Sequence, residues 1–343
     1  LLLGGLFFAL YSGFLPYRHF GHALGLALGR HNTPDQPGEL SHGQALAAAL
    51  SGTMGLGNIS GVALAVVAGG PGAVFWMWVS ALVGIATKFF TCSLGVMYRG
   101  EDSLGRLQGG PMYIIREALP RSLYPLAVLF SLAGLIGTLP MYQANQLTAL
   151  IRENLFSTQE PLLVNGVIGL VLALVVGTVV FGGLQRVAKV AVTVLPLMVL
   201  LYMAMTFYLL ASHLDEIPAL LANIVNSAFS AEAAGGGLLG VMLIGISRAA
   251  FSNEAGVGTE VMAHGAARTN EPIREGLVAM LGPVADTLIV CTCTALVILI
   301  AGNWQNPGEL SGITLTSNAF AQEMGNVGVA LLFLVTLILS STT

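Results

Sequence analysis

Two stretches decide the fold: SGTMGLGN at residues 51–58 and SNEAGVGT at residues 252–259. Each lies inside an apolar run, and both follow the pattern S-x-x-x-G-x-G-[N/T]. Glycine costs about 1 kcal/mol per position in a helix interior, so several glycines together favour an unwound segment. At membrane depth, unwound backbone is tolerated only where it is buried in protein or lines a cavity. The pattern therefore predicts two interrupted helices beside a binding site.

The alternative is that these glycines only allow helices to pack closely, as in G-x-x-x-G contacts. The chain has 43 glycines, so one cluster alone would be weak support for a break. Both clusters also carry hydroxyl and amide side chains, and the second adds a carboxylate. Paired interruptions of this kind are the best sequence indication of a transporter's binding site.

The composition is that of a membrane protein. Apolar residues make up 55% of the 343 residues and charged residues 9%, against about 25% charged in soluble domains. The net charge of -4 gives no indication of nucleic-acid binding. The three cysteines, Cys92, Cys291 and Cys293, lie in apolar stretches without a C-x-x-C pair, so neither a disulfide framework nor a zinc site is predicted.

Apolar runs separated by polar segments predict an all-α integral membrane protein with about nine spans. They are approximately 1–17, 42–69, 72–98, 123–151, 162–182, 187–211, 237–267, 276–301 and 327–343. The chain begins with Leu1 rather than Met and stops at Thr343 inside an apolar run. We therefore expect a C-terminally truncated part of a longer protein. Residues 213–236 are predicted to include an interfacial helix on the outer surface.

Lysine and arginine predict the orientation, because cytoplasmic loops are enriched in them. Alternate connections between the spans carry nearly all of the basic residues outside the spans: Arg18, Arg30, Arg99, Arg106, Arg116, Arg121, Arg186, Lys189, Arg268 and Arg274. We therefore expect a multi-pass protein of the plasma (bacterial inner) membrane, with the N-terminal end outside and the basic loops cytoplasmic.

The spacing of the breaks predicts an internal repeat. The second break lies about five spans after the first, and an odd number of spans gives the two repeats opposite orientations. This is the inverted-repeat architecture of LeuT-like transporters. Residues 1–343 then form one transmembrane domain. Residues 1–40 are an extra N-terminal helix and a cytoplasmic loop, 41–211 the first five-helix repeat, and 237–343 an incomplete second repeat.

The sequence resembles the alanine or glycine:cation (sodium) symporter family, within the larger group that shares the LeuT-like fold. The matching stretches, which occur in the family's order, are residues 51–89, GGPMYII at 109–115, RAAFSNEAGVGT at 248–259 and 276–295. The resemblance covers essentially the whole chain. It implies uptake of alanine or glycine driven by Na⁺, which acts as coupling ion with no other cofactor. The expected partners are the small amino acid, Na⁺ and the lipid bilayer, without nucleic acid; protein partners stay open.

The resemblance also implies site residues. Backbone N–H groups near the first break would hold the substrate carboxylate, carbonyls near both breaks its ammonium, and a glutamine of the fourth span its other atoms. The predicted substrate residues are Ser51, Thr53, Gly55, Gly57, Asn58, Gln143, Gln146, Phe251, Ser252 and Asn253. The choice among Gln143, Asn145 and Gln146 stays open. The predicted sodium residues are Gly52, Met54, Ser340, Ser341, Thr342 and Thr343.

Four charged residues inside spans have alternative roles. Glu254 either binds Na⁺, holds the unwound backbone, or pairs with Arg248 or Lys88. Arg248 is either an outer-gate residue or a member of a structural ion pair. Asp286 either couples protons or packs through hydrogen bonds with Thr287 or Lys88. Such residues within spans usually face the bundle interior.

Other classes of protein fit less well. An intramembrane enzyme would need a catalytic motif, and neither H-E-x-x-H nor G-x-S-x-G occurs in the sequence. A channel usually builds its pore ring from several subunits, whereas this chain carries a duplicated break. The competing hypothesis is a LeuT-like transporter of another amino acid or small polar solute, including one coupled to protons.

Overall fold

The computed structural model describes residues 1–30, 35–155, 161–230 and 237–342. The fold is all-helical, with 78% helix, apart from a short antiparallel pair of strands, β1 (Gly100–Glu101) and β2 (Leu107–Gln108). The helices are α1 (Leu2–Tyr11), α2 (Leu15–Arg18), α3 (Phe20–Ala27), α4 (His42–Thr53), α5 (Val62–Gly69), α6 (Gly72–Met97), α7 (Pro111–Ala118), α8 (Tyr124–Gly137), α9 (Met141–Leu155), α10 (Pro161–Val180), α11 (Gly183–Ser212), α12 (Ile217–Ser227), α13 (Gly237–Asn253), α14 (Glu260–Gly265), α15 (Pro272–Ala279), α16 (Leu281–Pro283), α17 (Thr292–Ala301) and α18 (Ile313–Thr342). π-helical turns occupy Gly57–Gly61 and Val284–Cys291, and a 3₁₀ turn occupies Arg121–Leu123.

In the described residues, six helical segments are long and apolar enough to cross a membrane, and a bent pair adds a seventh. The six are Gly72–Met97, Arg121–Arg152, Leu162–Val180, Gln185–Ser212, Pro272–Ala301 and Ile313–Thr342, and the pair is His42–Thr53 with Gly57–Gly69. The chain is therefore a multi-pass membrane protein. The count of nine, the LeuT-like repeat and the orientation stay predictions.

Two predicted spans differ in their bounds. The first, 1–17, is interrupted, because α1 ends at Tyr11 and both Gly13 and Phe14 adopt positive φ angles. The last begins at Ile313 rather than near residue 327. Gly325 has a φ of 61°, which kinks α18 without ending it. The polar residues before the kink had suggested a loop.

Burial separates the centre of the bundle from its lipid-facing rim. In the most apolar windows of α6 and of Pro272–Ala301, 61% of residues are buried, against 6% for Leu162–Val180. Side chains such as Leu162, Leu170 and Leu174 are more than half exposed, which suits contact with lipid. The largest core cluster packs Leu56 and Ile59 of the first break against Tyr202 and Phe320.

The basic-loop ends of the two broken helices are joined. Leu40, just before α4, bridges to Ala267, just after α14, and the N–H of Arg268 donates to the Leu40 carbonyl at 2.6 Å. The Arg99 guanidinium donates to the carbonyls of Ala267 and Thr269. Burial lowers the pKa of Arg99 from its ordinary value. This junction links the residues just before α4 to those just after α14.

The helix predicted between spans within 213–236 is present as α12. Its Ile224 is buried, and α12 packs on the start of α6, where Trp76 donates its indole N–H to the Ala228 carbonyl at 3.3 Å. Residues 231–236, within the predicted segment, lie outside the described residues. The position of α12 on the outer membrane surface stays a prediction.

Candidate functional site

The first predicted interruption is present and bends the span by 53°. α4 ends at Thr53, and a π-helical turn starts at Gly57. The N–H of Gly55 donates to the Asn58 side-chain oxygen at 3.2 Å and to the Thr53 carbonyl at 2.9 Å. The Gly55 N–H, which was expected to hold a substrate carboxylate, is therefore bonded within the break.

The second interruption separates α13 from α14. Glu254, Gly256 and Gly258 adopt φ angles of 54°, 87° and 94°, a left-handed region that favours glycine. Thr259 donates its hydroxyl hydrogen bond to the Glu254 carboxylate across the unwound segment. Glu254 thus holds the break, one of its expected roles.

The alternative ion pairs of Glu254 are not formed. In the described part of the chain, no carboxylate lies within 4.0 Å of the side-chain nitrogens of Arg248 or Lys88. Lys88 is 2% exposed on α6. The space beside its ammonium group is bounded by Gly282, where an added Cβ would lie 3.2 Å from Nζ.

Asp286 connects both breaks. Its Oδ1 accepts a hydrogen bond from Asn58 Nδ2 at 2.6 Å, and its Oδ2 accepts bonds from Ser252 and Thr287 at 2.8 Å each. Asn253 Nδ2 donates to Thr287 Oγ1 at 3.0 Å. Asp286 is fully buried and lies in the π-helical turn Val284–Cys291, a distortion frequent at functional sites. The predicted contact with Thr287 is present.

The cluster changes the interpretation of three predicted substrate residues. The side chains of Asn58 and Ser252 donate hydrogen bonds to Asp286, and the side chain of Asn253 donates one to Thr287. These polar atoms therefore bond to protein groups rather than facing the cavity. Their position in the glycine patterns had suggested direct contact. These hydrogen bonds link the two breaks through Asp286 and Thr287.

A cavity of about 510 Å³ lies between the breaks. Its wall comes from the end of α4, from α8 and α9 with their connection, and from the second break with α14. Six predicted residues line it: Gly52, Thr53, Gly57, Gln143, Phe251 and Glu254. Among the described residues, the other predicted substrate residues lie outside this wall: Ser51, Gly55, Asn58, Gln146, Ser252 and Asn253.

The structure distinguishes the two candidate glutamines. Gln143 lines the cavity. Gln146 turns to the start of α18, where its Oε1 accepts a hydrogen bond from the N–H of Ile313 at 3.1 Å. Ser51 likewise bonds its own helix, through the carbonyl of Ala48 at 2.8 Å. Of the two glutamines, Gln143 therefore lies at the cavity, and the substrate contact of either one stays a prediction.

Tyr142 and Glu260 are among the cavity residues that were not predicted from the sequence. Tyr142 donates or accepts a hydrogen bond with Ser60 at 2.7 Å, and its ring packs edge-on against Phe251 with centroids 5.1 Å apart. It joins the first break to the second. Glu260, the first residue of α14, also lines the cavity. A carboxylate directly after the second glycine pattern was the available signal for it.

The predicted sodium residues come together only in part. Met54 and Gly55 line a small space of about 10 Å³ with Leu339, so the first break lies beside the end of α18. The hydroxyls of Ser340, Ser341 and Thr342 bond to carbonyls of their own helix. Gly52 lines the larger cavity instead, and Thr343 lies outside the described residues.

The wall of the larger cavity contains two acidic residues. Its wall includes the carboxylates of Glu254 and Glu260, and its described lining contains no lysine, arginine or histidine. Small residues such as Ala48, Ala49 and Gly52 form the α4 side. The arrangement suits a small molecule that carries a positive group.

Comparison with known proteins places this geometry in a family. The model of the sodium:alanine symporter family matches residues 1–343. The chain is 40% identical to an uncharacterised transporter of Haemophilus influenzae, with 96% of this chain and 73% of that protein covered. It is 39% identical to the sodium/alanine symporter AgcS of Methanococcus maripaludis, over 93% of this chain and 71% of that protein. It is 36% identical to the probable sodium/glutamine symporter GlnT of Bacillus subtilis, over 82% of this chain and 58% of that protein. With its apolar helices and two interrupted spans, this chain belongs to the sodium:alanine symporter family.

Proposed function

We propose that the protein is a sodium-coupled symporter that carries a small neutral amino acid, alanine or glycine, into the cell by alternating access. The cavity between the two broken helices is the observation that carries this proposal. In many secondary transporters, the substrate site is formed by discontinuous helices at the interface of two repeats. Membership of the sodium:alanine symporter family supports the coupling ion and the amino-acid class.

The cavity wall supports specific roles. Backbone of Thr53 and Gly57 would bind the substrate carboxylate, the carbonyls near Ser51 and Phe251 its ammonium, and Gln143 a further polar atom. Freed N–H groups and carbonyls at helix breaks suit these opposite charges. Na⁺ would bind between the carbonyls of Gly52 or Met54 and the hydroxyls at residues 340–343, after the hydroxyls of Ser340, Ser341 and Thr342 leave their own helix.

The larger architecture belongs to the same proposal. Residues 41–211 and 237–343 would form the two inverted LeuT-like repeats, with residues 1–40 as an additional N-terminal segment. The basic loops would face the cytoplasm of a bacterial inner membrane. The cavity would then lie on the cytoplasmic side of both breaks, because Ala48 precedes the first break and Ala263 follows the second.

A larger amino acid such as glutamine is the second candidate. The likeness to the probable sodium/glutamine symporter GlnT favours it, as does a cavity of about 510 Å³. The small side chains on the α4 side of the wall favour alanine or glycine.

The test is uptake of labelled alanine by the full-length protein in liposomes, with inward gradients of Na⁺, K⁺ or H⁺. We expect uptake only with Na⁺ and competition by unlabelled glycine. Stronger competition by glutamine than by glycine would favour the second candidate. Uptake driven by H⁺ without Na⁺ would contradict sodium coupling.

A further inference from the structure

Glu260 is a buried carboxylate with neither oxygen bonded. Its side chain is 3% exposed. Neither Oε1 nor Oε2 has a hydrogen-bond partner among the described residues, although the residue lines the 510 Å³ cavity. Burying an ionised carboxylate without a partner is costly, so such a group binds a cation or takes up a proton.

A structural carboxylate in the same chain looks different. Glu275 is fully buried, and its two oxygens lie 2.5 Å from His42 Nδ1 and 2.6 Å from His264 Nδ1. Glu254 is held by Thr259. Glu260 alone of these three carboxylates has both oxygens unbonded beside a cavity, which indicates a partner that is not part of the protein.

The residues of the cavity wall around Glu260 indicate that this partner is positively charged. Glu254 is the second carboxylate in the described cavity wall, and the wall includes no lysine, arginine or histidine. The low dielectric of a buried site strengthens attraction for a positive group. The side chains nearby are small or apolar, with Ala48 and Ala263 among them.

Glu260 lies directly after the second break, at the start of α14. The other end of α14 is joined to the start of α4 by the Leu40–Ala267 bridge.

We propose that Glu260 is a cation-binding residue of the cavity, which takes Na⁺ or the ammonium group of the amino acid. This inference rests on the proposed function for the identity of these two cations. It assigns Glu260 a direct contact with the transported species, apart from the backbone groups of the breaks.

The test compares Glu260→Gln and Glu260→Asp with wild type in the purified full-length protein. Glu309→Gln is the matched control, because Glu309 is exposed in a loop outside the cavity. Binding of ²²Na⁺ is measured without substrate, and binding of labelled alanine is measured at saturating Na⁺. Direct binding keeps the test independent of transport.

We expect Glu260→Gln to weaken one of the two affinities by about tenfold or more, the range expected for loss of a hydrogen bond to a charged group. Weaker ²²Na⁺ binding assigns the site to sodium, and weaker alanine binding alone assigns it to the ammonium group. Glu260→Asp retains the charge and should recover part of the affinity. If Glu260→Gln does not fold, the same binding measurements are made on Glu260→Asp.

Unchanged affinities for Na⁺ and alanine in Glu260→Gln would overturn the proposal. A change confined to the pH dependence of binding would also overturn it, because Glu260 would then hold a proton. By contrast, wild-type uptake without Na⁺ dependence would contradict the proposed sodium coupling, while the alanine measurement still tests Glu260.

Discussion

Asn58 Nδ2 lies 2.6 Å from Asp286 Oδ1, which joins residues 228 positions apart in the chain. Asn58 also accepts the N–H of Gly55, so one side chain both closes the first break and connects it to the turn that carries Asp286. Ser252, in the second break, reaches the other oxygen of the same carboxylate. One acidic side chain therefore bonds to residues of both breaks.

Replacement of Asp286 by Ala is expected to destabilise the protein and abolish uptake. The change leaves the buried donors of Asn58 and Ser252 without this acceptor, at about 1–3 kcal/mol for each unsatisfied group. The measurement is the apparent melting temperature of purified protein together with alanine uptake. Asp215→Ala, at an exposed position, is the control. Equal melting temperatures for both variants would contradict the bridging role.

The two glutamines of α9 provide a matched pair of variants. Gln143→Ala is expected to raise the KM for alanine with little change in stability, because Gln143 lines the cavity. Gln146→Ala is expected to lower the melting temperature, because the N–H of Ile313 loses its acceptor. Uptake kinetics and thermal stability measured on both proteins check the assignment. A raised KM in Gln146→Ala, with an unchanged KM in Gln143→Ala, would contradict this assignment of the two glutamines.

Gly258→Leu is expected to abolish uptake while the protein still inserts into the membrane. The glycine has a φ of 94°, and an added Cβ would lie 2.9 Å from Pro111 Cγ. A side chain in such a backbone conformation costs about 1–3 kcal/mol in strain. Gly169→Leu is the control, because nothing lies within 4 Å of an added Cβ there. Membrane fractionation and liposome uptake are measured, and normal uptake by Gly258→Leu would refute a functional break.

The positions of the breaks could be predicted because their cause is local. Several glycines in one apolar run weaken the helix by themselves, and the observed interruptions follow Thr53 and Asn253 as the two patterns predict. The all-helical fold was predicted from the long apolar runs, and the family was predicted from stretches of sequence that resemble it.

The partners of individual side chains could not be predicted, because they depend on neighbours distant in sequence. Gln143 and Gln146 lie about one helical turn apart, but Gln143 lines the cavity and Gln146 accepts a hydrogen bond from the distant Ile313. Serine and threonine hydroxyls can bond their own helix, as Ser340 does, so their presence does not reveal a ligand. Glu260 was missed because the glycine pattern ends one residue before it.

His42, Glu275 and His264 form a buried cluster. Glu275, on α15, contacts an imidazole at the start of α4 and another on α14, and all three side chains are at least 98% buried. Glu275→Ala should therefore release both broken helices from α15 at their basic-loop ends. Two buried imidazole groups lose a partner, at about 1–3 kcal/mol each, so the melting temperature should fall clearly.

The control for this variant is Glu271→Ala, because the Glu271 side chain is 54% exposed and its ion pair with Arg274 lies at the surface. Exposed pairs contribute about 0–1 kcal/mol, so Glu271→Ala should melt close to wild type. His42→Ala and His264→Ala should each cause part of the Glu275→Ala shift, since each removes one of its two contacts. If Glu275→Ala and the Glu271→Ala control have the same melting temperature, the cluster does not hold the two broken helices together.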